Sequence, residues 1–208
     1  MFDDSNITIN PLAILPPEKE PRFYTLAQYL RREERSEELH EYINGIIIKL
    51  PMALGPHNEI TMNVAAALKN AIKPLTQKYR VFGAQQLIYM PKKNISRYPD
   101  ILAVYEAPQY YDSNEQLLIN PILIIEVLSK STRNYDRNGK FDEYKTLDSF
   151  KEYLLIDQKK CHIERRFREE PDLWRDSYFT DVNQSIHLNS LGCSIDLTDI
   201  YENITFKS

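Results

Sequence analysis

The sequence predicts an α/β or α+β fold in which helices flank a mixed β-sheet. Two segments carry this prediction. Residues 122–128 are apolar except for one acid, which is typical of a central strand covered on both faces. Residues 56–79 place apolar side chains four positions apart from Ile60 to Ile72, which predicts a helix with one buried face. The chain thus combines a buried strand with a long amphipathic helix.

The N-terminal part of the chain predicts an arm, a helix and a hairpin, in that order. Residues 1–22 contain four prolines and no amphipathic period, so we expect an extended arm ahead of a single domain over 23–208. Thr25 can cap a helix whose apolar positions follow at helical spacing. Asn44 and Gly45 lie between apolar residues and predict a tight hairpin turn.

The rest of the chain predicts four further strands, one helix and small edge elements. The strands are expected over residues 81–90, 101–106, 153–156 and 162–167. The first two are joined by residues 91–99, a polar and basic stretch that predicts a loop. Pro74 is expected to end or kink the long helix. Residues 136–147 predict a further helix. Residues 176–204 predict extra small strands or turns at the edge.

Composition and charge exclude several classes of protein. The formal net charge of −4 argues against a surface that binds nucleic acid all over, although residues 129–168 carry eleven Lys or Arg against seven Asp or Glu. Two cysteines without metal-ligand spacing argue against a disulfide scaffold or a structural zinc. No run approaches the ~18 apolar residues of a membrane span, and the start lacks a signal peptide pattern. We therefore expect a soluble, cytoplasmic protein with no membrane association.

Two acids lie where predicted strands meet polar residues. Asp100 precedes the apolar stretch from Ile101, and Glu126 interrupts residues 122–128. A buried carboxylate is costly without a partner, and a divalent metal ion can satisfy two carboxylates at once. Mg²⁺ is usually held by one or two carboxylates plus water and phosphate oxygens, the arrangement used in phosphodiester hydrolysis. The alternatives are that Asp100 is a turn residue and that Glu126 forms a structural ion pair with Arg133 or Lys140.

A combination of motifs then makes a family resemblance. The motifs are Tyr98-Pro99-Asp100, the strand and loop over 121–133, Asp136-Arg137, Lys140-Phe141, Tyr144, Glu41 to Gly45, His57 and the strand over 152–155. Together they resemble the Uma2 family of restriction-endonuclease-like proteins, over about residues 25 to 206. The resemblance implies a PD-(D/E)XK nuclease core, with a mixed central sheet flanked by helices and extra edge strands.

The resemblance also implies roles for individual residues. Asp100 corresponds to the first carboxylate of the motif and Glu126 to the second, and both would hold Mg²⁺, for which Mn²⁺ can substitute. Leu128 stands where the commonest motif has lysine. Lys140, on the following helix, matches the lysine of the Uma2 pattern and is expected to orient the attacking water or to stabilise the developing negative charge.

Five further residues are candidates, and each has an ordinary structural alternative. Glu41 is a candidate third metal-side carboxylate or else a surface acid. His57 could contact phosphate or capture a proton, but could equally be a helix-end residue. Ser129 could bond phosphate or simply belong to the loop before a helix. Arg133 could steer DNA or remain solvated, and Tyr144 is first of all a core residue.

The function expected from these residues is Mg²⁺-dependent hydrolysis of phosphodiester bonds, in DNA, by a homodimer in which the proline-rich arm joins the subunits. The alternative is a catalytically silent module on the same nuclease core, which binds nucleic acid or another protein. The acidic net charge supports that alternative. A purely structural protein would leave Glu126 unexplained.

Overall fold

The computed structural model describes residues 22–129 and 132–206. The arm expected over residues 1–22 lies outside these ranges except for Arg22, and the single domain expected over 23–208 stays a prediction. The described residues form a mixed α/β structure with three sheets and a few helices, which confirms the predicted fold class. No helix in these two ranges is long and apolar enough to cross a membrane.

A six-stranded mixed sheet forms the centre of the fold. Its strands are, in spatial order, β11 (Leu173–Phe179), β10 (Ile163–Glu170), β9 (Glu152–Asp157), β8 (Leu123–Leu128), β6 (Ile101–Tyr105) and β3 (Tyr79–Gly83). β8 runs parallel to β9 and antiparallel to β6. All six residues of β8 are buried, so the prediction of a central strand over 122–128 is confirmed.

A second sheet of five strands lies beside the first. Its order is β2 (Ile46–Lys49), β1 (His40–Ile43), β5 (Ile95–Arg97), β4 (Leu87–Met90) and β7 (Leu117–Leu118). β1 and β2 form the expected hairpin, because Asn44 and Gly45 both adopt positive φ angles, of 48° and 96°. Such angles suit the tight turn that connects two twisted strands. A separate hairpin pairs β12 (Ser185–Leu188) with β13 (Cys193–Asp196).

Helices cover both faces of the six-stranded sheet. α2 (Gly55–Ile72) buries Ile60, Val64 and Leu68 against one face, and it ends two residues before Pro74. The other face is covered by α3 (Arg133–Tyr135), a π-helical turn (Asp136–Lys140) and α4 (Phe141–Tyr144), which follow one another without a break. α1 (Leu26–Glu33) packs on the smaller sheet, and α5 (Leu197–Ile200) packs on α2.

Local sequence signals explain the ends of α1 and the packing of α4. Thr25 and Gln28 form a reciprocal capping box, in which each side chain accepts a hydrogen bond from the other residue's backbone N–H. Phe141 and Tyr144 are buried against Tyr153 of β9, as the predicted core face required. Cys161 and Cys193 are free thiols that pack with the core on the α2 side.

Three expectations about elements are wrong in detail. The strand expected over 81–90 is two strands in different sheets, β3 and β4, separated by a turn in which Gln86 N–H donates to Gly83 O. The basic loop over 91–99 contains the short strand β5. The helix expected over 136–147 begins at Arg133 and ends at Tyr144, with π geometry in its middle. Apolar patterning alone cannot tell which sheet a strand joins, so the first error follows from tertiary pairing.

Candidate active site

Glu126 lies on β8 and faces the helical segment that follows this strand. Alternate residues of β8 point to opposite faces, so Glu126 shares its face with Ile124 and Leu128, both of which pack against Phe141 and its neighbours. Glu126 is only 3% exposed. Its carboxylate therefore has to be satisfied by groups from within the protein.

Lys140 and Tyr144 both reach the same oxygen of Glu126. Lys140 Nζ donates to Glu126 Oε1 at 3.0 Å, and Tyr144 Oη donates to it at 2.8 Å. The two side chains lie four residues apart in the helical segment, which places them on one face. The sequence placed Lys140 as the lysine that reaches back to Glu126, and the structure brings these two groups into contact.

Asp100 lies across from Glu126 on the neighbouring strand. The antiparallel register pairs Ile101 with Ile125, and one residue further along, Asp100 falls opposite Glu126. Asp100 precedes β6 rather than belonging to it, as the turn interpretation expected. Its side chain is nevertheless engaged, because Asp100 Oδ2 accepts a hydrogen bond of 2.7 Å from Val127 N–H.

His57 joins the site from the first turn of α2. Its Nε2 lies 3.2 Å from Asp100 Oδ2. Burial lowers the pKa of His57, but the hydrogen bond and negative charge of Asp100 outweigh burial and raise this pKa above its usual value. His57 Nδ1 is buried and has no hydrogen-bond partner among the described residues. His57 is therefore a hydrogen-bonded neighbour of Asp100, rather than only a helix-end residue.

Asp136 is a site residue that the sequence analysis missed. It is buried, and its Oδ1 lies 3.1 Å from Lys140 Nζ. The signal was available, because an acid four residues before a lysine on a helix is a common ion pair. It was overlooked because Asp136 was assigned to the start of a helix and not to its buried face.

The charges of this cluster do not balance. Burial raises the pKa of Glu126 to about 8, with the charges of Asp100 and Asp136 adding to the effect and Lys140 and Tyr144 opposing it. Burial lowers the pKa of Lys140, but the surrounding carboxylates raise it well above its usual value. Lys140 is therefore an ammonium group at neutral pH, and Glu126 keeps a proton unless another cation takes its place.

Glu41 lies in a second buried cluster, next to this one. It is 5% exposed, so the interpretation of Glu41 as a surface acid is wrong. One of its oxygens, Oε2, forms an ion pair with Arg97. The other, Oε1, is buried without a hydrogen-bond partner among the described residues. The charge of Glu41 contributes to raising the pKa of Lys140, so the two clusters interact.

Arg97 joins the smaller sheet to the helical segment. Its guanidinium donates to both oxygens of Glu143 at 2.8 Å, and it also contacts Tyr135 and Glu41. Arg97 is 1% exposed, and the guanidinium lies 5.0 Å from the centre of the Tyr135 ring. Two of its partners, Tyr135 and Glu143, flank Lys140 in the helical segment, so Arg97 helps to fix the position of Lys140.

Two of the accessory candidates, Ser129 and Arg133, form hydrogen bonds with neighbouring protein groups. Ser129 Oγ and Thr132 Oγ1 share a hydrogen bond of 2.8 Å, and Ser129 Oγ also accepts from Thr132 N–H, which organises the loop after β8. Arg133 donates to Asp157 Oδ2 at 2.8 Å. Arg133 thus pairs with the end of β9 and not with Glu126.

The donor set fits a hard divalent cation. Asp100 and Glu126 supply carboxylate oxygens from opposite positions on neighbouring strands. The buried Oε1 of Glu41 has no hydrogen-bond partner among the described residues, and the charge of Glu41 acts on Lys140. No group of three or more His, Cys, Asp or Glu side chains poised to hold a metal occurs in residues 22–129 and 132–206. Two carboxylates are still the number that Mg²⁺ commonly uses, with water completing its coordination.

Comparisons with known proteins agree with the family resemblance and with the fold. Residues 26–198 match the Uma2 family model, described as "Putative restriction endonuclease". An uncharacterised Synechocystis protein, sll1609, is 36% identical over 143 residues, which cover 69% of this chain and 80% of that protein. A second, slr1290, is 26% identical and covers 86% of this chain and 92% of its own length.

A solved structure gives the same architecture. The chain is similar to a crystal structure from Anabaena variabilis, described as "a putative nuclease belonging to DUF820", with a TM-score of 0.69 and 20% identity. The match covers 88% of this chain and 99% of that one. At this low identity the likeness shows the fold alone.

The raised pKa of Glu126 predicts a loss of stability as the pH rises. Glu126 binds its proton more tightly in the folded than in the unfolded state, so its stabilising effect is complete below about pH 4.5 and is lost as the pH rises through about 8. Urea unfolding of the metal-free protein and of Glu126→Gln from pH 5.5 to 9 measures this. Relative to the variant, the protein should lose up to about 1.4 kcal/mol per pH unit. Parallel pH profiles would contradict the shift.

Arg97 predicts a large effect on stability. Arg97→Lys keeps the charge but loses the two-pronged contact with Glu143, which leaves buried carboxylates poorly paired. We expect a loss of about 3 kcal/mol in the free energy of unfolding, measured by urea denaturation at pH 7. Arg31→Lys, on the exposed side of α1, is the matched control and should change stability by less than about 0.5 kcal/mol. Equal effects of the two substitutions would refute the role of Arg97.

Proposed function

This chain belongs to the Uma2 family, and we propose that it is a metal-dependent nuclease that hydrolyses phosphodiester bonds in DNA. The observation that carries the proposal is the contact between Lys140 Nζ and Glu126 Oε1, at 3.0 Å, beside Asp100 on the adjacent strand. Two carboxylates and a lysine on neighbouring elements are the parts that this reaction needs. Leu128 fills the strand position where a nuclease of this type usually carries its lysine, and it is buried in the core.

Asp100 and Glu126 would hold the cation, Mg²⁺ or Mn²⁺, and Glu41 is a secondary candidate, because no three such side chains in residues 22–129 and 132–206 are grouped as metal ligands. Such an ion, when bound, polarises the phosphate and lowers the pKa of a bound water. Glu126 has to lose its proton for this role, and Tyr144, which donates to Oε1, keeps the carboxylate oriented. Glu41 would contribute Oε1, since Oε2 belongs to Arg97.

Lys140 would act as a donor and not as the base. Its raised pKa keeps it protonated at neutral pH, so it cannot accept the proton of the attacking water. That proton would leave to bulk water, because a bound divalent ion lowers the pKa of the attacking water. The Lys140 ammonium would orient this water through its lone pair and stabilise the negative charge that develops on the phosphate, while the ion pair with Asp136, at 3.1 Å, holds Lys140 in place.

His57 would assist at the Asp100 side of the site. The nearby Asp100 carboxylate raises the pKa of His57 and so favours its protonated form. In that form His57 would donate a hydrogen bond to a phosphate oxygen or a proton to the departing oxygen. Ser129 and Arg133 stay secondary candidates for contacts with phosphate or DNA, from the loop and helix start after β8.

The proposal includes a homodimer that works in the cytoplasm, by analogy with nucleases of this type. The competing function is a silent module that keeps the core and binds nucleic acid or protein without cleaving. The net charge of −4 favours the protein-binding form of this second candidate, because an acidic surface repels DNA. A cleavage assay with matched variants separates the two candidates.

We expect cleavage of supercoiled plasmid and of single-stranded DNA in Mg²⁺, and none in EDTA. Asp100→Ala and Lys140→Gln should each lower the rate by at least about a hundredfold, since each removes a group that acts on the developing charge. Gel electrophoresis of timed samples measures the rate. Asp148→Ala and Lys145→Gln are the matched controls, because Asp148 and Lys145 lie close by and outside the site. Equal nicking by all five proteins would identify a contaminant.

Direct metal binding gives a second test that does not depend on activity. Titration with Mn²⁺, followed by calorimetry and by electron paramagnetic resonance, should show one site per chain. Asp100→Asn and Glu126→Gln should each weaken binding at least about tenfold, because each removes one of the two charged donors. Asp148→Asn should leave the affinity unchanged. If the two site variants bind Mn²⁺ as tightly as the unmodified protein, the ion lies elsewhere.

A further inference from the structure

One long stretch of this acidic chain contains no acid at all. Between Glu59 and Asp100 there are seven Lys or Arg residues and no Asp or Glu. The structure places four of them, Lys69, Lys73, Lys78 and Arg80, at exposed positions along the end of α2 and the start of β3. The ion pairs formed among the described residues include none of these four. Their positive charge is therefore available to a partner.

A shallow groove of about 640 Å³ lies at this basic edge. We call it the Lys78–Arg80 groove. It is lined mainly by Thr76, Gln77, Lys78, Arg80, Tyr105 and Glu106. Glu106 is its one acid, and the hydroxyl of Tyr105 hydrogen-bonds to it. The groove therefore combines two free cations with an exposed aromatic side chain and with the polar groups of Thr76 and Gln77.

The aromatic ring of Tyr105 is exposed within the groove. Its side chain is 44% exposed although it ends a strand whose other residues are all buried. The ring of Tyr79, across the strand pair, supports it with ring centres 5.5 Å apart. An exposed tyrosine held from behind by another ring provides a stacking surface at little cost in side-chain entropy.

The groove lies at the far end of β6, the strand that Asp100 precedes. Five residues of extended chain separate Asp100 from Tyr105, which is about 17 Å at ~3.4 Å per residue. β3, which contributes Arg80, is the edge strand of the six-stranded sheet and borders solvent along its outer side. The groove is therefore outside the Asp100–Glu126–Lys140 cluster, yet close enough for one polymer to reach both.

We propose that the Lys78–Arg80 groove binds a single-stranded segment of nucleic acid, with phosphates at Lys78 and Arg80 and a base stacked on Tyr105. Cations and exposed aromatic rings together are the usual means of binding an unpaired strand, because every base has a face that can stack. A duplex keeps its bases stacked on one another and would leave Tyr105 unused. The proposal deepens the proposed nuclease function, on which its biological meaning rests, by naming the substrate class.

The test measures binding in EDTA, where no cleavage occurs. Fluorescence anisotropy follows a fluorescein-labelled oligonucleotide of twenty thymidines from low to moderate salt. The slope of log affinity against log salt is negative, and for the double variant Lys78→Ala/Arg80→Ala it should become shallower by about 1.4, that is ~0.7 per lost phosphate contact. Arg31→Ala, which removes an exposed cation from the acidic N-terminal helix, should leave the slope unchanged.

Tyr105 provides a test that does not involve charge. Tyr105→Ala should weaken binding about tenfold at every salt concentration, and Tyr105→Phe should restore it, because stacking needs the ring and not the hydroxyl. Thermal unfolding of each variant checks that the fold is kept. The proposal is refuted if the thymidine oligonucleotide does not bind, if the groove variants weaken only duplex binding, or if polyglutamate competes as well as the oligonucleotide.

Failure of the groove proposal can be distinguished from failure of the proposed nuclease function. Asp100→Ala should bind the thymidine oligonucleotide as the unmodified protein does, since Asp100 lies outside the groove. A protein that binds through the groove but cleaves nothing supports the groove and removes the nuclease proposal. If the protein cleaves DNA and every groove variant binds the thymidine oligonucleotide as tightly as the unmodified protein, the nuclease proposal is supported and the groove proposal is refuted.

Discussion

The burial of Glu126 in the central strand is the constraint on which the surrounding structure depends. A carboxylate that is 3% exposed inside an apolar sheet would destabilise the fold unless other groups compensate its charge and its lone pairs. Lys140 and Tyr144 provide this compensation from one helical segment. The segment must therefore pack on this face of β8 at one position along the strand. The aromatic packing of Phe141 and Tyr144 on Tyr153 holds the segment there.

The geometry of that segment follows from the same need. Asp136 to Lys140 adopts π-helical geometry between two short α-helical turns, an arrangement that is often found at functional sites. It places Asp136 and Lys140 on the buried side together, 3.1 Å apart. The result is a cluster of three carboxylates around Lys140, in which burial, together with the charges of Asp100 and Asp136, raises the pKa of Glu126.

Arg97 gives the arrangement its rigidity. It belongs to the smaller sheet and contacts Glu41 of the same sheet. It also donates hydrogen bonds to Glu143 and Tyr135, which lie on either side of Lys140 in the sequence. A buried arginine with a two-pronged carboxylate partner tolerates little displacement. The smaller sheet and the helical segment are thereby held together beside the carboxylate cluster, whereas the basic groove at Tyr105 contains none of these buried ion pairs.

Much of this could be predicted from the sequence, because the relevant signals are local. Thr25 marks a helix start, Asn44 and Gly45 mark a turn, and Glu126 stands out as an acid inside an apolar strand. The pairing of Lys140 with Glu126 followed from the family motif and spans only 14 residues. These features depend on short-range geometry, which the order of residues specifies directly.

Only the tertiary structure decided the rest. Nothing in residues 81–90 says that the two halves join different sheets, because strand pairing depends on partners elsewhere in the chain. From the sequence, Glu41 could be a metal-side carboxylate or a surface acid, and its burial against Arg97, 56 residues away, excludes the surface acid. The sequence by itself determined the elements and the acids at their ends. Which charges meet, and which stay free for a ligand, was decided by contacts between distant segments, because burial and the local electric field exist only once the chain has folded.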